Sequence, residues 1–174
     1  DSWATMAELV EEGKVRWAGV SNFDVGLLER CEAVRHVDSL QPPYSLLDRS
    51  AAAELIPWAA ANGTGVICYS PLASGLLSGG FDAERARDLP EGDWRRNDPD
   101  FRPPRLEANL ELARRLEPVA GRHGVPVAAA AVAWVLATEG VTGAIVGARR
   151  PSQVDGWLPA GNLQLTQEDL AALT

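Results

Sequence analysis

Apolar and polar positions alternate along the chain with two different periods. Short apolar runs bounded by polar residues, glycine or proline predict strands at residues 15–20, 39–44, 65–70 and 143–148. Apolar residues at helical spacing predict helices at residues 2–13, 25–34, 51–61, 106–122, 127–138 and 167–173, with a short helix from Ser152. Apolar strands that alternate with helices are typical of an α/β protein whose parallel sheet is covered by helices.

Two architectures fit this alternation. An open doubly wound sheet is one, but the turns that follow the strands carry no GxGxxG fingerprint. The other is a (β/α)8 barrel, which normally takes about 250 residues and eight units. Four units in 174 residues would form half of such a barrel. Because the chain starts at Asp1 directly in a helix with an apolar face, we expect a piece cut from a longer protein.

Residues 81–105 form a long segment without a regular period. It is rich in Asp, Arg, Pro and Gly and contains Trp94 and Phe101. Loops of this length inside a compact domain are usually functional or disordered. Both interpretations stay open from the sequence.

Composition and charge narrow the possible partners. The formal charge of −8 argues against nucleic acid or an anionic membrane as a general partner. The longest nearly apolar stretch, residues 125–137, is too short to span a bilayer. Cys31 and Cys68 have no metal-binding spacing, so we expect two buried thiols, no metal site and a cytoplasmic protein. The expected partner is a small molecule.

Polar and small residues follow each predicted strand at its carboxyl end, where parallel α/β proteins bind their ligands. Short polar groups follow the first two strands, and a glycine-rich loop and an arginine pair follow the last two. These residues are Ser21, Asn22, Gln41, Tyr69, Ser70 and Gly75, then Gly147, Arg149 and Arg150. Backbone N–H groups of small residues and arginine side chains suit an anion. Each group also has a purely structural interpretation, as a helix cap, a turn residue, a strand aromatic or a solvated surface pair.

Five motifs together resemble the aldo-keto reductases, in order and with family spacing. They are WAGVSNF (17–23), QPPYSLLDR (41–49), CYSPLASGLLSG (68–79), AWVLA (133–137) and IVGARRPSQV (145–154). The resemblance covers essentially all of residues 1–174. It implies the second half of a (β/α)8 barrel, strands five to eight, completed by an N-terminal half. It also implies an NADPH-dependent oxidoreductase that reduces aldehydes or ketones to alcohols.

The same resemblance implies a role for each strand end. Ser21, Asn22 and Gln41 match residues that bind the nicotinamide carboxamide, and Tyr69 matches the aromatic that stacks on its ring. The residues that match the pyrophosphate loop are Ser70, Pro71, Leu72, Gly75 and Leu77. The residues that match the site of the adenosine 2′-phosphate are Gly147, Arg149 and Gln153, with Arg150 close by.

The chain departs from the family pattern at two places. Gly79 is followed by Gly80 and Phe81, where family members often have lysine and tyrosine. After Gln153 the family commonly shows Glu-Glu-Asn, whereas this chain reads Asp155-Gly156-Trp157, so no residue is assigned to adenine.

The catalytic Asp, Tyr, Lys and His of the family come from the first half of the barrel. Tyr44 and Tyr69 both belong to second-half motifs, and Lys14, His36 and His123 match no catalytic motif. We therefore expect no catalytic residue in this chain, and expect residues 81–105 to fold over the cofactor or shape the substrate pocket. Two alternatives stay open: an NADPH-binding redox-sensing subunit without significant turnover, and a half-barrel assembly module.

Overall fold

A computed structural model describes residues 2–173 and contains one four-stranded sheet within them. Its strands are β1 (Gly19–Ser21), β2 (Ser39–Gln41), β3 (Gly65–Tyr69) and β4 (Val141–Ile145). They lie side by side in chain order, and every neighbouring pair is parallel. The prediction of an α/β fold with a parallel sheet is therefore confirmed.

Helices precede, connect and follow these strands. They are α1 (Ser2–Glu11), α2 (Val25–Glu32), α3 (Leu55–Asn62), α4 (Ala83–Arg87), α5 (Arg105–Arg114), α6 (Leu116–His123), α7 (Val127–Leu136) and α8 (Gln167–Ala172). Single helices link β1 to β2 and β2 to β3, whereas α4 to α7 lie between β3 and β4. Asp24 caps α2 by accepting from the Leu27 amide at 2.8 Å, and α3 ends at Gly63 with a φ of 72°.

Several predicted boundaries were wrong, and proline explains most of the differences. The predicted helix at 106–122 is two helices, because Pro118 has no amide hydrogen to donate to the carbonyl of residue 114. The predicted helix at 51–61 begins as a 3-10 turn, Ser50–Ala52, and α3 starts only at Leu55, with Pro57 in its first turn. The second strand ends at Gln41 because Pro42 and Pro43 cannot donate to a ladder.

The other differences lie at the two outer strands. The first strand was predicted at 15–20 but starts at Gly19, since Trp17 is 73% exposed and the Ala18 amide donates to the Asp38 carboxylate. The last strand was predicted at 143–148 but spans Val141–Ile145. The short helix expected from Ser152 is a 3-10 turn, Pro151–Gln153, and a second one follows at Leu158–Asn162.

One face of the sheet packs against the helices and forms the core. Leu40, Val66 and Cys68 on this face are fully buried, together with Leu28 of α2 and Val119 of α6. Strand β1 approaches β2 so closely that a Cβ atom at Gly19 would lie 2.5 Å from the Ser39 carbonyl oxygen. Burial raises the pKa of the Cys68 thiol to about 11, so this thiol stays protonated at neutral pH.

The opposite face of the sheet is open. Ile67 and Tyr69 are only half-buried, and Ile145, which lies beside Tyr69 in the register, is 44% exposed. Parallel sheets normally have both faces covered. This chain therefore covers one face of its sheet and leaves an apolar strip on the other. We call this strip, Ile67, Tyr69 and Ile145, the open face.

Residues 81–105 are folded against the loop that follows β3, although their sequence shows no period. They contain α4 and two 3-10 turns, Trp94–Asn97 and Pro99–Phe101. Phe101 is buried in a small cluster with Leu76, Leu106 and Leu110. The segment therefore packs against the rest of the chain, which disagrees with the interpretation that it is disordered.

Among residues 2–173, no single helix is both long and apolar enough to cross a bilayer. Only the stretches Arg105–His123 and Val127–Leu136 reach those limits, and only when they are counted together across a 96° bend.

Candidate functional site

The carboxyl ends of the strands bring the predicted polar residues to one edge of the sheet. Ser21 lies opposite Gln41 in the register, and Tyr69 lies opposite Ile145. Pro43, two residues beyond Gln41, bridges to Tyr69. The turn that carries Gly147 and Arg149 begins directly after Ile145. Four separate segments of the sequence therefore meet along this edge.

At the first two strand ends, hydrogen bonds fix the backbone and leave one side-chain amide free. The Ser21 hydroxyl donates to the Gln41 carbonyl at 2.9 Å, and the Asn22 amide donates to the same oxygen at 3.3 Å. The side-chain amide of Gln41 has no hydrogen-bond partner within residues 2–173, so it can pair with a planar amide. Because Asp24 caps α2, the interpretation of Ser21 and Asn22 as its N-cap is wrong.

Tyr69 is fixed at both its backbone and its ring. Its amide donates to the Pro42 carbonyl at 3.0 Å, and its carbonyl accepts from Tyr44 at 3.1 Å. Its hydroxyl donates to Asn22 Oδ1 at 2.9 Å, which leaves the Asn22 amide hydrogens available. The Tyr69 residue lies on the open face and is half-buried, so part of its surface remains accessible to a ligand.

The loop at residues 70–77 has an unusual backbone. Ser70, Ala73 and Ser74 have φ values of 56°, 45° and 54°, and Gly75 has a φ of 108°. A left-handed conformation costs a residue other than glycine about 1–3 kcal/mol and persists only where the surroundings impose it. The Ala73 and Gly75 amides donate within the loop, to the Ser70 and Leu72 carbonyls at 2.9 Å each. The Leu72 and Ser74 amides have no hydrogen-bond partner within residues 2–173, so these two amides can donate to an anion.

Two residues predicted in this loop face the core instead of the solvent. The side chain of Leu77 is fully buried and that of Pro71 is buried, so neither side chain is available to a ligand. The Leu77 amide donates to the Leu72 carbonyl at 3.2 Å and closes the loop. We assign them the task of fixing the loop, while Ser70, Leu72 and Gly75 remain at its partly accessible surface.

The turn after β4 exposes its predicted residues. Gly147, Arg149, Arg150 and Gln153 are all exposed. The side-chain oxygen of Gln153 accepts from the amides of Arg149, at 2.7 Å, and Arg150, at 3.0 Å. Neither guanidinium forms an ion pair within residues 2–173, so both can bind an anion. The same exposure is typical of a solvated surface pair, so the two interpretations of these arginines differ in whether an anion binds.

Sequence reasoning missed Asp93 and Arg95, which lie in the long segment and reach the loop after β3. The hydrogen bond from Arg95 lowers the pKa of Asp93 to about 2, and the charge of Arg149 acts more weakly in the same direction. The segment therefore lies near the turn that carries Arg149. No sequence signal identifies this pair, because the chain is rich in arginine and an Asp-x-Arg triplet has no characteristic period.

The groups that could donate a proton lie elsewhere. Tyr44 is buried, with its ring stacked on Trp134 at 5.4 Å, and its hydroxyl accepts from Thr138. His36 contacts Glu32, His123 contacts the buried Asp169, and Lys14 pairs with Glu12. Residues 2–173 also contain no group of three or more side chains that could hold a metal ion.

Known proteins resemble this chain in sequence and in fold. The chain matches the model of the Aldo/keto reductase family over residues 1–174. It is 36% identical to aldo-keto reductase YhdN of Bacillus subtilis over 94% of this chain and 49% of that protein. It is 31% identical to the NADH-specific methylglyoxal reductase of Escherichia coli, over 95% of this chain and 50% of that protein.

A solved structure with the same fold is that of glycerol dehydrogenase AKR11B4 from Gluconobacter oxydans. The two are 34% identical and superpose with a TM-score of 0.90, over 99% of this chain and 52% of the other. This chain thus spans about half the length of the curated relatives it matches. The family model, which covers the whole sequence, shows that this chain belongs to the aldo/keto reductase family.

Proposed function

We propose that this chain is the second half of a (β/α)8 barrel, in which β1 to β4 are strands five to eight. The open face supports the proposal, because a parallel sheet is stable when both faces are covered and here Ile145 remains 44% exposed. An N-terminal half-barrel would cover that face and pair with the free edges of β1 and β4. This chain covers about half the length of its relative YhdN and superposes on about half of AKR11B4, as this proposal expects.

We further propose that the complete protein is an NADPH-dependent oxidoreductase that reduces aldehydes or ketones. The observation that carries this proposal is the meeting of Gln41, Asn22 and the Tyr69 ring at one edge of the sheet. The cofactor supplies a hydride when it is bound. Ser21, Asn22 and Gln41 would hold the carboxamide of the bound cofactor, and the Tyr69 ring would pack on one side of its nicotinamide.

The phosphates of the cofactor are held by the two later strand ends. The turn of residues 72–75 offers the amides of Leu72 and Ser74, which have no partner within residues 2–173, to the pyrophosphate. Gly147, Arg149, Arg150 and Gln153 hold the 2′-phosphate, and the free arginine side chains are the reason to propose NADPH over NADH. A proton donor outside this chain completes the reaction, since Tyr44, His36 and His123 are engaged elsewhere.

Two other functions remain candidates. A redox-sensing subunit that binds NADPH without significant turnover would use the same residues, and the catalytic residues of the N-terminal half of the barrel decide between it and the reductase. An assembly module would use the open face for a partner chain.

Turnover distinguishes these functions. The protein that carries this chain, with its complete barrel, is expected to oxidise NADPH when a generic aromatic aldehyde is added. The isolated 174-residue chain is expected to oxidise none above a heat-treated control. NADPH binding without turnover by the complete protein would support the sensor. Failure to bind NADPH would reject both the reductase and the sensor.

A further inference from the structure

Arg95 is a charged residue buried at the base of the loop that follows β3. It is 8% exposed, an unusual environment for a guanidinium. Asp93 neutralises it through two parallel hydrogen bonds, from Nε to Oδ1 at 2.9 Å and from Nη2 to Oδ2 at 2.6 Å. Paired geometry of this kind fixes the plane of the guanidinium as well as its position.

Aromatic rings complete the environment of Arg95. The guanidinium lies 5.8 Å from the ring centres of both Phe81 and Phe101, which contact each other edge to face at 5.3 Å. These contacts come from both ends of the long segment. The two rings therefore enclose the Arg95 guanidinium and leave one of its nitrogens, Nη1, directed out of the pair with Asp93.

The remaining nitrogen binds the strained turn. Nη1 donates to the Ser74 carbonyl at 3.2 Å, and a side chain at Gly75 would meet the same nitrogen at 3.6 Å. Ala73 and Ser74 adopt left-handed conformations that residues other than glycine rarely keep without a restraint. The Arg95 hydrogen bond is such a restraint, and it comes from more than twenty positions away in the sequence.

We propose that Arg95 is a positioning residue, which holds the turn of residues 72–75 in the conformation that binds the cofactor pyrophosphate. The proposal rests on the proposed function of this loop. Arg95 itself does not touch the cofactor in this account, because each of its three guanidinium nitrogens already donates to Asp93 or to Ser74. Its effect on affinity is transmitted through the Ser74 carbonyl.

The test measures dissociation constants for NADPH, NADH and 2′-AMP in the protein that carries this chain with its complete barrel. The first variant, Asp93→Asn/Arg95→Met, removes the ion pair as a unit and leaves no unpaired buried charge. The second variant, Arg95→Lys, keeps the charge and the stem but loses the planar fork. Arg96→Met, at the exposed neighbouring position, is the matched control for a lost positive charge.

NADPH and NADH both contain the pyrophosphate, whereas 2′-AMP contains only the adenosine and its 2′-phosphate. The double variant is expected to raise the dissociation constants of NADPH and NADH equally, by about tenfold. This is the effect of losing one hydrogen bond that involves a charged group. Arg95→Lys is expected to weaken both by about threefold. Binding of 2′-AMP should stay within about twofold of wild type in both variants, and Arg96→Met should leave all three constants unchanged.

Two results would overturn the proposal. One is wild-type affinity for both cofactors in a folded variant that lacks Arg95. If the double variant does not fold, Arg95→Lys is the variant on which this result is judged. The other is a loss of 2′-AMP affinity as large as that of NADPH, because this would indicate general damage to the site. Failure of the wild-type protein to bind either cofactor would instead reject the proposed function.

Discussion

Substitutions at Tyr69 separate the role of its ring from the role of its hydroxyl. The hydroxyl makes one hydrogen bond, to the exposed Asn22, and the ring lies half-buried on the open face. An exposed neutral hydrogen bond contributes about 0.5 kcal/mol, the low end of its range, and an aromatic stacking contact contributes about 1 kcal/mol or somewhat more. Tyr69→Phe is therefore expected to raise the NADPH dissociation constant about twofold, and Tyr69→Ala about tenfold.

Fluorescence titration of NADPH and single-turnover hydride transfer measure this effect in the complete protein. Tyr69→Ala should also slow hydride transfer, because the nicotinamide loses the aromatic ring that packs on one of its sides and orients it. Thermal unfolding provides the control, since Tyr69 is not part of the fully buried core. NADPH affinity unchanged in Tyr69→Ala would refute the stacking role, and equal losses in the two variants would assign the effect to the hydroxyl.

Two further predictions concern the fold. Asp169 is buried, and hydrogen bonds from His123, Arg122 and Thr166 hold its pKa well below the usual value for an aspartate. Its contribution to the free energy of unfolding is therefore present above about pH 4 and is lost as the pH falls further through the lowered pKa. Asp169→Asn should lower the free energy of unfolding by roughly 1.5–3 kcal/mol at neutral pH and should weaken its decrease at acid pH. Urea unfolding measured against pH would contradict this if the variant lost stability in acid as the wild type does. The isolated 174-residue chain is expected to associate through its open face, and light scattering that reports a stable monomer would count against the half-barrel.

The sequence was sufficient to predict the order of strands and helices and most of the edge where the strand ends meet. Apolar runs ending in polar residues placed Gln41, Tyr69 and Arg149 at successive strand ends, because the alternation of strand and helix makes the sheet parallel. It was not sufficient to place helix boundaries, since the effect of Pro57 and Pro118 depends on which turn of the helix each proline occupies.

The order within residues 81–105 could not be predicted from the sequence. This segment is held by single side chains at irregular positions, Phe101 in a small cluster and Arg95 beneath the Ser74 carbonyl, so it has no period to detect. Motifs also do not distinguish a side chain that faces a ligand from one that faces the core. Leu77 lies within a matching motif, yet its side chain is fully buried.

The most direct test of the account is the ratio of NADPH to NADH affinity in Arg149→Ala, measured in the complete protein. The Arg149 side chain is exposed and free of ion pairs within residues 2–173, so each hydrogen bond it makes to a 2′-phosphate is expected to contribute at the low end of roughly 1.5–3 kcal/mol. Arg149→Ala should therefore weaken NADPH about tenfold and leave NADH nearly unchanged. Equal losses for the two cofactors would show that Arg149 is structural and would contradict the NADPH site at the end of β4.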